Sequence, residues 1–380
     1  MKVVIAVDSF KGSLSSIEAG NAVREGILRA CEADTALFPL ADGGEGTVEA
    51  LVTGMHGVYQ DVEVTGPLGD PVVCRYGVLE ERKTAIVEMS GAAGLTLVPD
   101  HLRNPMKTTT FGVGEVIRDA IGKGCRNFII GIGGSATNDG GAGMLQALGF
   151  DLLDANNAPI AYGAEGLKGL KRISAEHVMK ELDDCNFRVA CDVNNPLCGP
   201  CGASFVYGPQ KGADPQMVVE LDEILRNYAS ITGSTFGRDL SEVPGTGAAG
   251  GMGFAFLSFL NAKLEPGIEI ILKEIGLEKE IQDADYVITG EGRLDFQTAM
   301  GKAPIGVARL AKKYGKKVIA FAGAVTEEAR ECNVRGIDAY FSITSRVMTL
   351  EEAMNPENAA KNMANTVEQV FRLISAVRKS

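Results

Sequence analysis

The sequence predicts an α/β protein with two domains. One domain is an open parallel sheet built from both ends of the chain, and the other is a mixed α/β domain inserted between them. Three observations carry this prediction. Strand-like apolar runs alternate with helical patterns near both ends, which is typical of a doubly wound sheet. The middle of the chain has a different pattern and is rich in glycine. The length of 380 residues suits two domains, with predicted bounds of 1–67 together with 281–380 for the first and 68–280 for the second.

The first 60 residues indicate a strand, a helix and a second strand. Residues 3–7 form a continuous apolar run, as expected for a strand buried on both faces. Apolar positions at helical spacing predict a helix over 17–31, and Ser13 or Ser15 can cap its start. A second strand is predicted at 36–40.

The last 100 residues repeat the alternation. Strands are predicted at 285–289, 318–322 and 339–343, and helices at 303–314 and 361–377. Together with the N-terminal elements they predict a Rossmann-like domain. Ligands of such sheets bind at the carboxyl ends of the strands, so we expect a cleft there, where the two domains meet.

The inserted region begins with several strands. Residues 62–89 read as strands around a turn signal at 66–71. Three glycine-rich segments follow, at 131–143, 199–212 and 245–253, and the last is expected to open a helix that reaches residue 260.

Composition excludes several classes of function. The chain is 45% hydrophobic and 23% charged, with a net charge of −12 and no block of Lys or Arg, so neither nucleic acid nor an anionic membrane is expected as a partner. The longest apolar region, 252–260, is too short to span a membrane, and the N-terminus does not resemble a signal peptide. Most of the eight cysteines have apolar neighbours and are expected to be buried and reduced, while the lone C-x-x-C at 198–201 and three dispersed histidines argue against a zinc, redox or His-based site.

The most informative stretch is the glycine-rich loop at 131–143. It follows a predicted strand at 127–130 and leads into a short helical pattern, and it carries Ser135, Thr137 and Asn138 beside its glycines. Free N–H groups beside a helix N-terminus suit an anion such as phosphate. A plain tight turn is the alternative.

Six further loops lie at element ends; five of them carry charged or amide side chains beside glycine, serine or proline, and the sixth is the glycine-rich segment at 245–253. Carboxylates that could hold Mg²⁺ are Asp42, Glu45, Asp139, Asp192, Glu291 and Asp295. Cations that could neutralise phosphate or a carboxylate are Lys11, Lys211, Arg293 and Lys302. This inventory fits phosphoryl transfer, which depends on positioning and charge neutralisation.

Two other functions remain open on the residues alone. Residues 131–136 and 245–250 match G-x-G-x-x-G/A, so a dinucleotide-binding oxidoreductase is the second reading. A non-catalytic protein that binds a phosphorylated ligand is the third. There is no Walker A motif, since the glycines at 292 and 301 have the wrong spacing and Ala303 replaces Ser or Thr.

The motifs together resemble the bacterial glycerate kinases of the first type. The resemblance rests on Asp-Ser-Phe-Lys-Gly-Ser-Leu at 8–14, Pro-Leu-Ala-Asp-Gly-Gly-Glu-Gly-Thr at 39–47 and Gly-Gly-Ser-Ala-Thr-Asn-Asp-Gly-Gly-Ala-Gly at 133–143. It continues at 192–199, 208–213, 247–251 and 289–295, and so covers nearly the whole chain. One departure is Val7, where many members have Pro.

The resemblance implies ATP-dependent phosphorylation of D-glycerate in the cytoplasm, with 2-phosphoglycerate as the expected product and the 3-hydroxyl as the alternative acceptor. It also implies two α/β domains, one of them flavodoxin-like. The partners implied are small molecules, with ATP and Mg²⁺ as cofactors; whether the chain forms a homodimer stays open.

Roles are assigned as hypotheses within this frame. The general base is Asp192 as first choice and Asp139 as second, and Arg293, with Lys11 as the alternative, pairs the substrate carboxylate. Substrate contacts are further expected from Asp8, Ser9, Asn138 and Asn194. The metal ligands are expected among Asp42, Glu45, Glu291 and Asp295, with Asp192 as a further candidate. The residues expected to bind phosphate are Gly133, Gly134, Ser135, Thr137, Lys211, Gly247, Gly250, Gly251 and Lys302.

Overall fold

The computed structural model describes residues 1–379. The chain divides into two compact units, the first made of residues 1–42, 49–55 and 268 onward, the second of residues 43–48 and 56–267. Residues 56–67 lie on the other side of the predicted bound because the strand at 58–65 pairs antiparallel with the next strand of the second unit. Residues 268–280 likewise belong to the first unit.

The first unit alternates strands and helices. Its strands are β1 (Lys2–Ile5), β2 (Asp34–Leu37), β11 (Tyr286–Leu294), β12 (Lys317–Val325) and β13 (Ala339–Ser342). Its helices are α1 (Ser16–Ala30), α2 (Thr47–Gly54), α10 (Gly267–Glu274), α11 (Leu277–Gln282), α12 (Phe296–Ala299), α13 (Ala303–Lys313), α14 (Arg330–Val334), α15 (Leu350–Met354) and α16 (Pro356–Lys379), where the first residues of α2 and α10 belong to the second unit.

The sheet of the first unit is parallel throughout, which confirms the predicted class of this sheet. Its order is β13-β12-β11-β1-β2. Counted within the unit, this is the order 2-1-3-4-5 of flavodoxin-like sheets. Strand order reverses between β1 and β11, so their carboxyl ends flank a gap that is open to a ligand.

Local sequence explains why α1 begins where it does. The Ser15 hydroxyl accepts a hydrogen bond from the Glu18 N–H, and the Glu18 carboxylate accepts one from the Ser15 N–H. This capping box satisfies two N–H groups that the helix leaves unpaired. Ser15 rather than Ser13 is therefore the cap. The apolar face of α1, with Val23 and Ile27, joins the core of the unit together with α16.

The second unit holds a mixed sheet. Its strands are β3 (Val58–Thr65), β4 (Pro71–Leu79), β5 (Thr84–Glu88), β6 (Asn127–Gly131), β7 (Asp151–Leu153), β8 (Arg172–Ser174), β9 (Asn186–Ala190) and β10 (Lys263–Glu265). Its helices are α3 (Ser90–Ala93), α4 (Phe111–Gly122), α5 (Ala142–Ala147), α6 (Gly163–Leu167), α7 (Ala203–Tyr207), α8 (Pro215–Phe236) and α9 (Ala248–Phe259). The six-stranded order is β10-β9-β6-β5-β4-β3, parallel from β10 to β5 and antiparallel from β5 to β3, and β7 and β8 form a separate hairpin-like pair.

The second unit has its own core. Phe128 of β6 and Phe187 of β9 stack with ring centroids 4.8 Å apart, and Phe256 of α9 packs against Phe187. All eight cysteines are free thiols, and four of them, Cys74, Cys125, Cys198 and Cys332, are buried, which is fewer than the predicted majority. Within residues 1–379, no helix is both long and apolar enough to cross a membrane.

Candidate active site

The first unit has a cavity of about 440 Å³ at the carboxyl ends of β1 and β11. This is the gap where strand order reverses, and it is therefore the place where an open α/β sheet binds its ligand. Its charged lining residues are Asp8, Lys11, Asp42, Glu291, Arg293, Asp295 and Lys302. All seven belong to segments that the sequence predicts as loops, although Glu291 and Arg293 lie within β11, and the structure brings them together.

Asp8 lies just beyond β1 and is only 4% exposed. Its backbone N–H donates to the Gly290 oxygen of β11, and its carboxylate accepts the Ser9 N–H at 2.6 Å. Burial, with the nearby negative charges of Asp42 and Glu291, raises the pKa of Asp8 to about 7. A carboxylate with such a pKa is suited to accept a proton near neutral pH.

Each cation of the cavity lies near one carboxylate. The Lys11 Nζ is 3.7 Å from Asp42, the Arg293 Nε is 3.3 Å from Asp295, and the Lys302 Nζ is 3.9 Å from Glu291. The side chains of Lys11 and Arg293 are both 64% exposed. Because the cations of the Lys11–Asp42 and Arg293–Asp295 pairs are largely open to solvent, these two pairs cost little to exchange for an anionic ligand. Glu291 of the third pair is buried.

Two of the carboxylates also hold local structure. Asp295 caps α12, since its carboxylate accepts the N–H groups of Gln297 and Thr298. Glu291 accepts a short hydrogen bond from the Thr298 hydroxyl, and burial raises its pKa. The loop between β11 and α13 is therefore fixed by the side chains that line the cavity.

Sequence reasoning missed the apolar part of the cavity lining. Ile343, Leu350, Met354 and Ala359 line it and follow β13, together with Asn362 of α16. The only local signal is the capping box of α15, in which Thr349 and Glu352 exchange hydrogen bonds. Aliphatic side chains in a short helix carry no functional signature, so sequence alone could not connect them with the acidic loops.

The predicted metal ligands do not form a ready cation site. Across residues 1–379 no three His, Cys, Asp or Glu side chains are grouped so as to hold a metal ion. Asp42, Glu291 and Asp295 line the one cavity, whereas Glu45 belongs to the second unit. Mg²⁺ usually takes one or two carboxylates and completes its shell with substrate phosphates and water. The residues present fit a metal that arrives with a phosphorylated ligand.

In the second unit, the glycine-rich loop is organised around Asp139. This carboxylate is fully buried and accepts hydrogen bonds from the Thr110 N–H, the Thr110 hydroxyl, Gly141 N–H and Gly143 N–H. Burial raises its pKa. The contacts favour a role in holding the loop over its predicted role as second-choice base.

Lys211 is buried beneath the same loop. Its Nζ donates to the Ser135 hydroxyl at 2.8 Å and to the Thr137 oxygen at 2.6 Å, and burial lowers its pKa to about 7. Asn138 donates to the Ser204 hydroxyl. The hydroxyl of Thr137 and the amide oxygen of Asn138 are buried without a hydrogen-bond partner. The structure thus places four predicted ligand-binding residues inside the unit, where they fix the loop.

The predicted phosphate-binding glycines fall into two groups. Gly133 and Gly134 are exposed, and Gly133 lies against the backbone of Gly44. Gly247 and Gly250 are buried where backbones meet: a Cβ at Gly247 would lie 2.1 Å from the Pro196 oxygen, and one at Gly250 would lie 2.0 Å from the Thr137 oxygen. The Gly247 N–H is already donated to Asn195.

Gly251 is also buried, and the backbone is left-handed over three consecutive residues, Ala249, Gly250 and Gly251. The predicted helix opening at 245–253 is therefore interrupted by this turn, and regular helix begins only beyond it. These glycines permit close packing of three loops, and their assignment to phosphate stays a prediction.

Asp192 and Asn194 lie in the exposed loop after β9. The Asp192 carboxylate accepts the Gly267 N–H at 2.9 Å. Their predicted roles as base and substrate contact stay predictions, since both residues belong to the second unit and the cavity described above belongs to the first.

The cavity lies where the strand order of a parallel sheet reverses, and it contains paired cations and a carboxyl group, Asp8, with a pKa of about 7. These features define an α/β enzyme that acts on an anionic substrate. Comparison with known proteins gives the family. A sequence model of the Glycerate kinase family matches residues 3–375.

Relatives match over nearly the whole length. The chain is 48% identical to the glycerate 2-kinase of Escherichia coli over 97% of this chain and 98% of that one, and 48% identical to a glycerate kinase of Halalkalibacterium halodurans over 95% and 97%. It superimposes on the crystal structure of a protein assigned as glycerate kinase 2 from Salmonella typhimurium with a TM-score of 0.91, 48% identity and full coverage of both chains.

The chain belongs to the glycerate kinase family, which confirms the resemblance read from its motifs. It is a kinase, a phosphotransferase, and the oxidoreductase and binding-protein alternatives are wrong. The structure explains the misleading motif at 131–136. Eight residues, 134–141, separate Gly133 from the start of α5, and α5 spans only six residues, so the motif lacks the long helix of a dinucleotide-binding loop.

Proposed function

We propose that this protein is a cytoplasmic kinase that transfers the terminal phosphoryl group of ATP to the 2-hydroxyl of D-glycerate, with Mg²⁺ as cofactor. The cavity of the first unit supports this proposal, since it combines cations for a carboxylate and phosphates with Asp8 as a proton acceptor. The E. coli relative is named a 2-kinase, which favours that hydroxyl. The eight free thiols suit a reducing compartment.

Arg293 is proposed to bind the glycerate carboxylate, with Lys11 as the alternative. A guanidinium can contact both oxygens of a planar carboxylate at once, whereas an ammonium acts as a point charge. Arg293 pairs only weakly with Asp295, so replacing Asp295 by the substrate carboxylate as its partner costs little free energy. Lys302 is the remaining cation of the cavity and is proposed to face the transferred phosphate.

Asp8 is proposed to accept the proton of the attacking hydroxyl, and Asp192 is kept as the competing candidate. Asp8 shares the cavity with the cations proposed to bind the substrate, and one of its oxygens is held by the Ser9 N–H. A base must lie within hydrogen-bond reach of the proton it removes, so sharing one cavity with the substrate is the first requirement.

Asp42 and Glu291 are proposed to hold Mg²⁺ together with the nucleotide phosphates. Bound there, the ion would neutralise charge on the transferring phosphoryl group. Asp295 is less suited because its oxygens already cap α12 and face Arg293.

One assay tests the proposal. The protein is incubated with ATP, Mg²⁺ and D-glycerate, and ³¹P NMR resolves 2-phosphoglycerate from 3-phosphoglycerate. We expect 2-phosphoglycerate; accumulation of the 3-isomer would overturn the regiochemistry, and no transfer would overturn the proposed substrate. Asp8→Asn and Asp192→Asn are compared in the same assay, and whichever variant loses turnover by at least about a hundredfold identifies the base.

A further inference from the structure

The cavity of the first unit has two chemically different walls. The charged wall comes from the segments after β1 and β2 and from the end of β11 with the residues that follow it. The apolar wall comes from Ile343, Leu350 and Met354, which follow β13, and it adjoins the loop after β1, since a Cβ on Gly12 would lie 2.8 Å from the Met354 Cε. Between them lies β12, which contributes only Gly323 and Ala324 to the lining. Strands β11 and β13 are two strand spacings apart, roughly 10 Å. No large side chain of β12 separates the walls.

Glycerate explains only the charged wall. It is a three-carbon acid with two hydroxyl groups, and seating it against aliphatic side chains would leave its polar groups without partners. The second substrate of a kinase has the required polarity, since a nucleoside triphosphate is anionic at one end and carries a flat aromatic base at the other. An apolar pocket with a few polar groups is the usual environment of such a base.

We propose that the apolar wall formed by Ile343, Leu350, Met354 and Ala359 binds the purine base of the donor nucleotide, whose phosphates extend over β12 toward Lys302. The proposal rests on the proposed function and assigns the donor site within it. Met354 suits this contact because a thioether packs favourably against an aromatic ring. Leu350 is 75% exposed and Met354 37%, whereas Ile343 and Ala359 are buried, so Leu350 and Met354 form the part of this wall that is open to a ligand.

Asn362 adds a polar group to the apolar wall. Its amide oxygen accepts the Ser345 hydroxyl at 3.3 Å, which orients the side chain. Among residues 1–379, the one hydrogen-bond acceptor of its amide nitrogen is the sulfur of Met348, at 3.8 Å, which is a weak acceptor. A purine presents a ring-nitrogen acceptor at N7, whichever base it is. Asn362 can therefore donate to either adenine or guanine.

The test places a charge on the apolar wall. Leu350→Asp and Met354→Asp are compared with Val347→Asp, which lies in the same segment, is fully exposed and does not line the cavity. Leu350 is the first residue of α15, where an acidic side chain is well tolerated. All three variants add the same charge to the molecule, so its general repulsion of anions cancels in the comparison.

We expect Leu350→Asp and Met354→Asp to raise the KM for ATP, and the Kd of a non-hydrolysable ATP analogue measured by calorimetry, by about tenfold or more. The KM for glycerate should stay within about twofold, and Val347→Asp should match the unaltered protein. Asn362→Ala should weaken analogue binding by roughly fivefold. Thermal melts check that each variant is folded.

The outcomes separate the two proposals. If the unaltered protein transfers no phosphate to glycerate, the proposed function fails, while analogue binding still decides the donor site. If Leu350→Asp and Met354→Asp behave like Val347→Asp, the nucleotide binds elsewhere and the inference is overturned. A rise in the KM for glycerate instead of ATP would assign the wall to the acid and would overturn it as well.

Discussion

Lys211 is a lysine that is buried almost completely and bonded to neutral groups, and its titration is a measurable property. Burial lowers its pKa to about 7 from 10.5, so between these pH values the unfolded chain binds more protons than the folded one. Its contribution to the free energy of unfolding is therefore most favourable above pH 10.5 and is lost as the pH falls toward 7, by up to about 1.4 kcal/mol per pH unit.

The variant Lys211→Met lacks this titration. Urea unfolding of both proteins, followed by circular dichroism at pH 6, 7, 8 and 9, should give a stability difference that grows in favour of the natural residue as the pH rises above 7. Below pH 7 the difference should be constant. A difference that does not change with pH would mean that the lysine is not buried as the structure has it.

Arg293 offers a test of the carboxylate clamp. Arg293→Lys keeps the charge and removes the two-pronged contact, so we expect the KM for glycerate to rise by about tenfold while the KM for ATP changes little. Lys11→Arg is the matched control, because it also exchanges one cation for another in the same cavity. An unchanged KM in Arg293→Lys with a raised one in Lys11→Arg would move the clamp to Lys11.

The sequence identifies residues that share one cavity, but it does not distinguish a side chain that faces a cavity from one that is buried. Asp8, Arg293 and Lys302 were singled out, and they share one cavity because parallel strands end at one edge of the sheet. Asp139 and Lys211 were singled out too, but they are buried and hold their own loop. A residue type beside glycine indicates a tight loop, and whether its side chain faces solvent depends on neighbours that are distant in the sequence.

At the scale of elements, the strands and long helices were predictable and the glycine-rich turns were not. The strands predicted at 3–7, 318–322 and 339–343 are present within a few residues, because short runs rich in apolar residues favour a buried strand over a helix, which is usually longer. The helix predicted from 245–253 is interrupted at Ala249, where backbone contacts with the loop of Thr137 decide the conformation. Such contacts between loops produce no periodic pattern of apolar residues in the sequence, so the sequence does not predict them.

Ala249 has a left-handed backbone with φ of 53°, which is costly for a residue with a side chain. Ala249→Gly relieves this strain and is expected to raise the free energy of unfolding by about 0.5 kcal/mol, after allowing for the greater freedom of glycine in the unfolded chain. Thermal and urea unfolding measure the change.

Ala248 is the matched control for this substitution. It precedes Ala249 in the chain and does not have a positive φ. Ala248→Gly should therefore lower stability by about 1 kcal/mol. If both substitutions destabilise the protein equally, the left-handed turn at Ala249 is not the source of strain.

At the scale of the whole molecule, the order of the segments along the chain has a physical consequence. The first unit is assembled from three segments, so its sheet can form only when residues far apart in sequence meet. The second unit is almost continuous and contains its own six-stranded sheet and aromatic core. The alternation of strand and helix patterns near both chain ends indicates this organisation. The composition of residues 43–48 does not indicate that this short segment belongs to the second unit while the residues on either side belong to the first.

That short segment is held to the second unit by Glu88. The carboxylate of Glu88, at the end of β5, accepts the Val48 N–H at 2.7 Å, and burial raises its pKa to about 7. Gly131 allows the chain to pass closely here, since a Cβ on it would lie 2.5 Å from the Gly43 oxygen. The second unit is therefore complete only when residues 43–48 are present.

A fragment of residues 43–267 is accordingly expected to fold and to unfold cooperatively on its own, because it retains the sheet, the core and the partner of Glu88. A fragment of residues 56–267 leaves the Glu88 carboxylate without the Val48 N–H and should be less stable by about 1–3 kcal/mol. Urea unfolding followed by circular dichroism compares the two.

Glu88→Gln in the longer fragment is the control, since it weakens the same contact without shortening the chain and should produce part of the loss. Equal stability of the two fragments would show that residues 43–48 contribute nothing to the second unit, and a gradual, non-cooperative transition in both would show that the unit does not fold by itself.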